Sequence, residues 1–160
     1  MDRINQILRH PLWRSSMASM RELEKDRVFC GHQESHLVDV ARLAYLECLE
    51  LGLSVPREEI YAAALLHDIG RHLQYTQGIP HHEGSARLAR DILNDCGFLP
   101  GERERVLDAI SAHRTKSSFQ RRDLAGLIYR ADKKSRLCLF CPAQKECDWE
   151  EEKKNLSLDK

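Results

Sequence analysis

The segment Ala62-Ala63-Ala64-Leu65-Leu66-His67-Asp68-Ile69-Gly70-Arg71 sets an imidazole beside a carboxylate at the end of an apolar run. A lone histidine in such a place is commonly a hydrogen-bonded core residue. Two adjacent ionisable groups are costlier to bury, and a divalent cation compensates both. Imidazole plus carboxylate is a ligand set for zinc, iron, manganese or cobalt. Gly70 should end the helix and leave His67 and Asp68 at the rim of a cavity.

Two further stretches carry the same residue types. One is His36 with Val40-Ala41-Arg42-Leu43-Ala44 behind it, and the other is Ala131-Asp132-Lys133-Lys134. Taken in order with the His67-Asp68 segment, these residues resemble the HD superfamily of metal-dependent phosphohydrolases across roughly residues 32 to 136. The resemblance implies a helical bundle and a metal held by His36, His67, Asp68 and Asp132. A subset of that family holds a second metal with extra histidines between His-Asp and the last Asp. His113 matches one of these positions. His81 and His82, in Ile79-Pro80-His81-His82-Glu83-Gly84-Ser85, compete for the other, and His81 is favoured. The match there is looser, because relatives place a Gly-Ala pair farther from the histidine. His32 lies four residues before His36, on the same helical face, and is a further candidate ligand.

The resemblance also implies phosphohydrolysis, with one or two cations activating water. Bound by imidazoles and carboxylates, a cation lowers the pKa of its water from about 15.7 toward roughly 7 in the best zinc case. Asp68 is the natural bridge between two metals and would orient the water. Arg71, Arg114, Lys133 and Lys134 are candidate phosphate-binding residues, since their charge favours the transition state. Glu83 would relay a proton if it faced the cavity. The expected partner is a small, nucleotide-like phosphate. No Walker loop, Gly-x-Gly-x-x-Gly or Gly-x-Ser-x-Gly motif narrows the substrate further.

A second chemical constellation is Cys138-Leu139-Phe140-Cys141-Pro142-Ala143-Gln144-Lys145-Glu146-Cys147. Two thiolates separated by two residues can reach one tetrahedral ion. The spacing also resembles the iron–sulfur loop of the endonuclease III class of DNA glycosylases. Those proteins have another cysteine seven positions earlier, where this chain has Ala131. Cys30 would have to supply the fourth ligand, with His32 as the alternative. The loop is therefore a candidate zinc or [4Fe–4S] site, against a simpler reading as thiols packed in a turn. Cys48 and Cys96 read as small apolar fillers.

The elements that must position these groups are helical. Ser15 or Ser16 would cap an N-terminal helix through about Arg27, within a segment 15–29. Further helices are expected at about 33–51, 57–68, 82–96, 101–113 and 121–136. A polar loop is expected at 74–80, and a cysteine loop with a charged tail at 137–160. No strand alternation competes, so the fold class is all-α, in one domain over 1–160.

Composition sets the outer bounds. The 160 residues carry 25 Lys plus Arg and 25 Asp plus Glu, a formal net charge of zero. No global field draws such a chain to nucleic acid or an anionic membrane. The local excess of bases between Arg114 and Arg136 favours a phosphorylated ligand instead. Met1 to Arg14 has no signal-peptide pattern, and no stretch approaches the roughly 18–20 apolar residues that span a bilayer. A cytoplasmic protein with reduced thiols is expected. The competing function is a non-catalytic metal- or nucleotide-binding module, with the cysteine loop sensing redox state.

Overall fold

The computed structural model of the protein describes residues 1–158. The helices are α1 (Asp2–Arg9), α2 (Pro11–Leu23), α3 (Glu34–Glu50), α4 (Arg57–Leu66), α5 (Arg71–Gln77), α6 (His81–Asp95), α7 (Pro100–Ala112) and α8 (Leu124–Lys134). Short 3-10 turns cover Lys116–Gln120, Cys138–Phe140 and Glu151–Lys153. No strand occurs among the described residues. The fold is all-α, as the apolar periodicity implied. No described helix is long and apolar enough to cross a membrane.

The N-terminus departs from expectation. It forms two helices, and neither Ser15 nor Ser16 caps one. His10 is extended (φ −64°, ψ 132°), as the residue before a proline prefers, so α1 stops and Pro11 opens α2. His10 then caps α2, its ring accepting from Leu12 N at 3.2 Å. Trp13, Ser16, Met17 and Met20 form the buried stripe of α2. Trp13 Nε1 donates to Leu65 O at 3.0 Å, fixing α2 against the end of α4.

Helix α4 is the axis of the bundle. Ala62, Ala63, Ala64 and Leu66 are fully buried, and α4 packs against α1, α3, α6, α7 and α8. Three successive alanines let several helices approach one backbone closely. Leu37, Val40, Ala41 and Ala44 of α3 complete the core from one side, and Val106, Ala109 and Ile110 of α7 from another. Cys48 and Cys96 belong to this core, as their positions suggested. Glu59 is buried too, and accepts both arms of Arg105 at 2.6 and 2.8 Å, locking α4 to α7.

Residues 74–80 are not simply a loop: α5 runs through Gln77 and stops at Gly78, whose φ of 71° suits glycine. No residue of α5 is buried, so it carries no apolar stripe for periodicity to detect. Helix α8 begins later than expected. Asp123 caps it by accepting from Gly126 N at 3.1 Å, after the 3-10 turn at Lys116–Gln120.

The contact that matters most for the site is between Gly70 and α6. A Cβ at Gly70 would lie 2.1 Å from Ser85 N and 2.4 Å from Gly84 C. Gly70 N donates to Ser85 Oγ at 2.9 Å. Gly70 thus allows the turn after His67-Asp68 to lie directly on the helix that begins with His81. Gly70→Ala should destabilise the protein by more than about 3 kcal/mol, because backbone rather than a flexible side chain must move. Chemical denaturation of the variant against wild type measures this.

Candidate metal centre

Four histidines turn one ring nitrogen each toward a common interior point. His67 and His113 follow α4 and α7 and hydrogen-bond back to the carbonyls three residues earlier. His67 Nδ1 lies 2.7 Å from Ala64 O, and His113 Nδ1 lies 2.6 Å from Ile110 O. A carbonyl can only accept, so each Nδ1 carries the hydrogen and each Nε2 offers a lone pair inward. His36, in the first turn of α3, is held through Nδ1 by Ser135 Oγ at 3.1 Å. That hydroxyl donates its own hydrogen to Asp132 O at 2.8 Å, so it accepts from His36. His81, the first residue of α6, is oriented by Gln74 Oε1, 2.7 Å from its Nδ1.

Asp68 lies between these rings. Its Oδ2 is 3.4 Å from His67 Nε2 and 3.8 Å from His36 Nε2. Asp132 Oδ1 closes this first group at 3.4 Å from His36 Nε2 and 3.8 Å from His67 Nε2. The other oxygen of Asp68, Oδ1, is 3.4 Å from His81 Nε2 and 3.7 Å from His113 Nε2. The rings of His81 and His113 meet with their Nε2 atoms 3.2 Å apart. The residues fall into two potential ligand groups, His36–His67–Asp68–Asp132 and Asp68–His81–His113, every member buried.

These residues fit divalent cations. Donors about 2.1 Å from a shared ion lie about 3–4 Å from one another, as they do here. His67 Nε2 and both oxygens of Asp68 are buried without a hydrogen-bond partner. Such orphaned atoms are costly in a protein interior unless an ion or water engages them.

The electrostatics agree. Burial alone would raise the carboxyls, but His67 and Arg71 hold Asp68 well below the usual carboxylate range. His36 and His67 do the same for Asp132. Burial depresses His36 to about 4, His81 to about 3 and His113 to about 4, keeping them neutral and able to ligate. For His67, burial is outweighed by Asp68 and Asp132, which raise it to about 9. Without a cation, a proton on His67 takes the place of the positive charge.

The basic residues divide. Arg71 Nε makes an ion pair with Asp68 Oδ1 at 3.1 Å, and Lys133 Nζ reaches Asp132 Oδ2 at 2.6 Å. Arg114 is exposed, and its charge reaches His81. Lys134 is exposed and pairs with Glu47 at 3.6 Å instead. His82 is half-buried with its ring edge on His81 and belongs to neither ligand group, whereas His81 does. Glu83 is exposed and forms no hydrogen bond or ion pair to the cluster among the described residues.

Three supporting residues escaped the sequence reading. Glu24, at the end of α2, lies 2.6 Å from His32 Nδ1 and accepts from Tyr75 Oη at 2.7 Å. It turns His32 Nε2 toward Asp68 Oδ2, 3.9 Å away. Gln74, which orients His81, is the second. Arg136 is the third, with Nη2 3.2 Å from His36 Nε2 and 3.5 Å from Asp132 Oδ1. Its position one turn after Asp132 was the available signal; Glu24 and Gln74 offered none.

Two measurements test the centre. Wild-type protein should bind two divalent ions per chain, and His113→Ala should bind one, as read by elemental analysis. The His67 pKa is raised from 6.5 to about 9, so its proton is held at neutral pH and lost as pH rises through about 9. Metal loading near pH 7.5 should therefore release about one proton, and affinity should rise with pH until about 9. Titration calorimetry in buffers of different ionisation enthalpy reads that proton, and its absence would remove His67 from the ligand set.

Comparison with known proteins extends over the whole chain. An uncharacterized protein of Clostridium beijerinckii is 42% identical over 158 residues, covering 99% of both chains. A ribonuclease Y of Thermobifida fusca is 40% identical over 79 residues, which is 49% of this chain and 14% of that protein. No solved structure matches the chain. Residues 34–137, which span all the residues of both ligand groups, match the family model of the HD domain. With order, spacing and buried geometry in agreement, the chain belongs to the HD domain family of metal-dependent phosphohydrolases.

Proposed function

We propose that the protein hydrolyses a phosphomonoester or phosphodiester of a small, nucleotide-like molecule. The observation that carries this reading is Asp68. Its two oxygens are buried, without hydrogen bonds, and each faces a separate set of histidine nitrogens. A side chain so placed is suited to bridge two cations and has little use in a purely structural core. Divalent cations held there would supply a nucleophile at neutral pH and neutralise phosphoryl oxygens.

The chain's own residues do the rest. Asp68 fixes the geometry of both groups, and the Nδ1 hydrogen bonds of His36, His67, His81 and His113 prevent their rings from turning. Arg71 and Lys133, beside Asp68 and Asp132, are the cations placed to receive phosphate oxygens. Arg114 stands farther out, next to His81, where it would meet a substrate's distal charge. Lys134 and Glu83 have no part in this arrangement. Similarity to a protein named ribonuclease Y supports including phosphodiesters among the substrates. The complete ligand sets favour an enzyme over a non-catalytic binding module.

A panel of phosphatase and phosphodiesterase substrates, run with metal-loaded protein, tests the reading. His67→Ala and Asp68→Ala should each lose bound metal and reduce turnover by more than about 10³-fold. Arg71→Ala should retain metal while kcat/KM falls about 10–100-fold. Unchanged metal content in the His67 and Asp68 variants would overturn the site. A metal-loaded wild type inert on every phosphoester would overturn the activity.

A further inference from the structure

The cysteines outside the core meet at one place. Cys30, Cys138 and Cys141 line a cleft of about 260 Å³ beside His36 and Arg136. Cys138 and Cys141 are close enough to Cys30 for their charges to act on its thiol. Cys147, six residues after Cys141 and half-buried, acts together with Cys138 on the charge of the buried Lys154. All four thiols are free of disulfides. Burial pushes the Cys30 thiol up, against the pull of the Arg136 guanidinium beside it.

The surrounding segment has little else to hold it. After α8, Cys138 and Ala143 are the buried small residues, whereas Leu137, Leu139 and Phe140 are 62%, 43% and 73% exposed. Its regular structure amounts to two 3-10 turns. Hydrogen bonds shape it: Asn155 Nδ2 donates to Lys133 O at 2.7 Å and Arg136 O at 2.8 Å, and Gln144 Nε2 donates to Cys138 O at 2.8 Å. Ordering a residue costs about 1–2 kcal/mol of backbone entropy, which so few apolar contacts do not offset. Ligation of an inorganic centre does so in small segments of this kind.

The spacing of the sulfurs separates two kinds of centre. Four sulfurs about 2.3 Å from one zinc ion lie about 3.8 Å apart. Among the described residues, no three cysteines bring their sulfurs within 4.8 Å of one another. In an iron–sulfur cube each cysteine binds a different iron, so the protein sulfurs stand farther apart. We propose that Cys30, Cys138, Cys141 and Cys147 bind a [4Fe–4S] cluster. The cluster pins the C-terminal segment to the loop before α3, where Arg136 Nη1 already donates to Gly31 O at 2.8 Å. It shares no ligand with the two groups around Asp68, although the cleft borders His36, and it does not depend on the hydrolase reading.

The test uses the full chain purified without oxygen from iron-supplied cells. Acid-labile sulfide distinguishes the cluster from iron at the histidine centre. Wild type should be brown, absorb near about 400 nm and contain about four sulfides per chain. His67→Ala should keep that sulfide and absorbance while losing iron from the histidine centre. Cys141→Ser should lose the sulfide yet keep its helical circular dichroism. Stoichiometric zinc without sulfide in wild type would overturn the cluster in favour of a single ion. Protein holding neither, even after incubation with ferrous iron and sulfide under reducing conditions, would overturn the site. Full sulfide in Cys141→Ser would overturn the ligand assignment, and the wild-type result decides the proposal even if that variant fails to fold.

Discussion

The burial of one carboxylate organises this molecule. Asp68 is 1% exposed, and neither of its oxygens has a hydrogen-bond donor. An isolated carboxylate in that position would either take up a proton or unfold its surroundings. It does neither because His67 and Arg71, with a smaller contribution from His32, supply a field that outweighs burial and keeps it ionised. The same field is what a divalent cation would strengthen. Stability and chemistry thus make the same demand on Asp68, and the helices are arranged to meet it.

Meeting that demand explains features of the fold that would otherwise look arbitrary. Histidines at the ends of α4 and α7 use a carbonyl freed by helix termination to fix their own tautomer, a solution unavailable in mid-helix. The alanines of α4 let α3, α7 and α8 close around one axis, which brings His36, His113 and Asp132 to the same depth. Gly70 removes the one side chain that would hold α6 and His81 away.

Much of this was legible in the sequence, and the exceptions have physical causes. Helices α3, α4, α6 and α7 could be placed to within about two residues because each buries a face with helical period. Helix α5 buries nothing, and α1 buries only Ile4 and Ile7, so neither left a readable stripe. The pair His67–Asp68 was readable from its place at the end of an apolar helix, and His36 and Asp132 joined it through the resemblance to the HD superfamily. Glu24 and Gln74 were not, because what they do depends on which helix crosses which. No spacing along the chain encodes that crossing. The first turn of α6 directs His81 rather than His82 toward Asp68 and His113, a choice that spacing along the chain left open.

Arg136 connects the histidine–aspartate cluster to the cysteine cleft. One arm of its guanidinium rests 3.2 Å from His36 Nε2, and the other donates to Gly31 O, the residue after Cys30. A guanidinium beside an imidazole repels any cation held there, so its position would bear on how readily the first group takes up a metal. That position is constrained from the far side by the loop carrying Cys30. Order in the cysteine cleft would therefore hold Arg136 in one place, and disorder there would let it move relative to His36. A single side chain thus spans both places, so a shift of the C-terminal segment would reach His36 through Arg136.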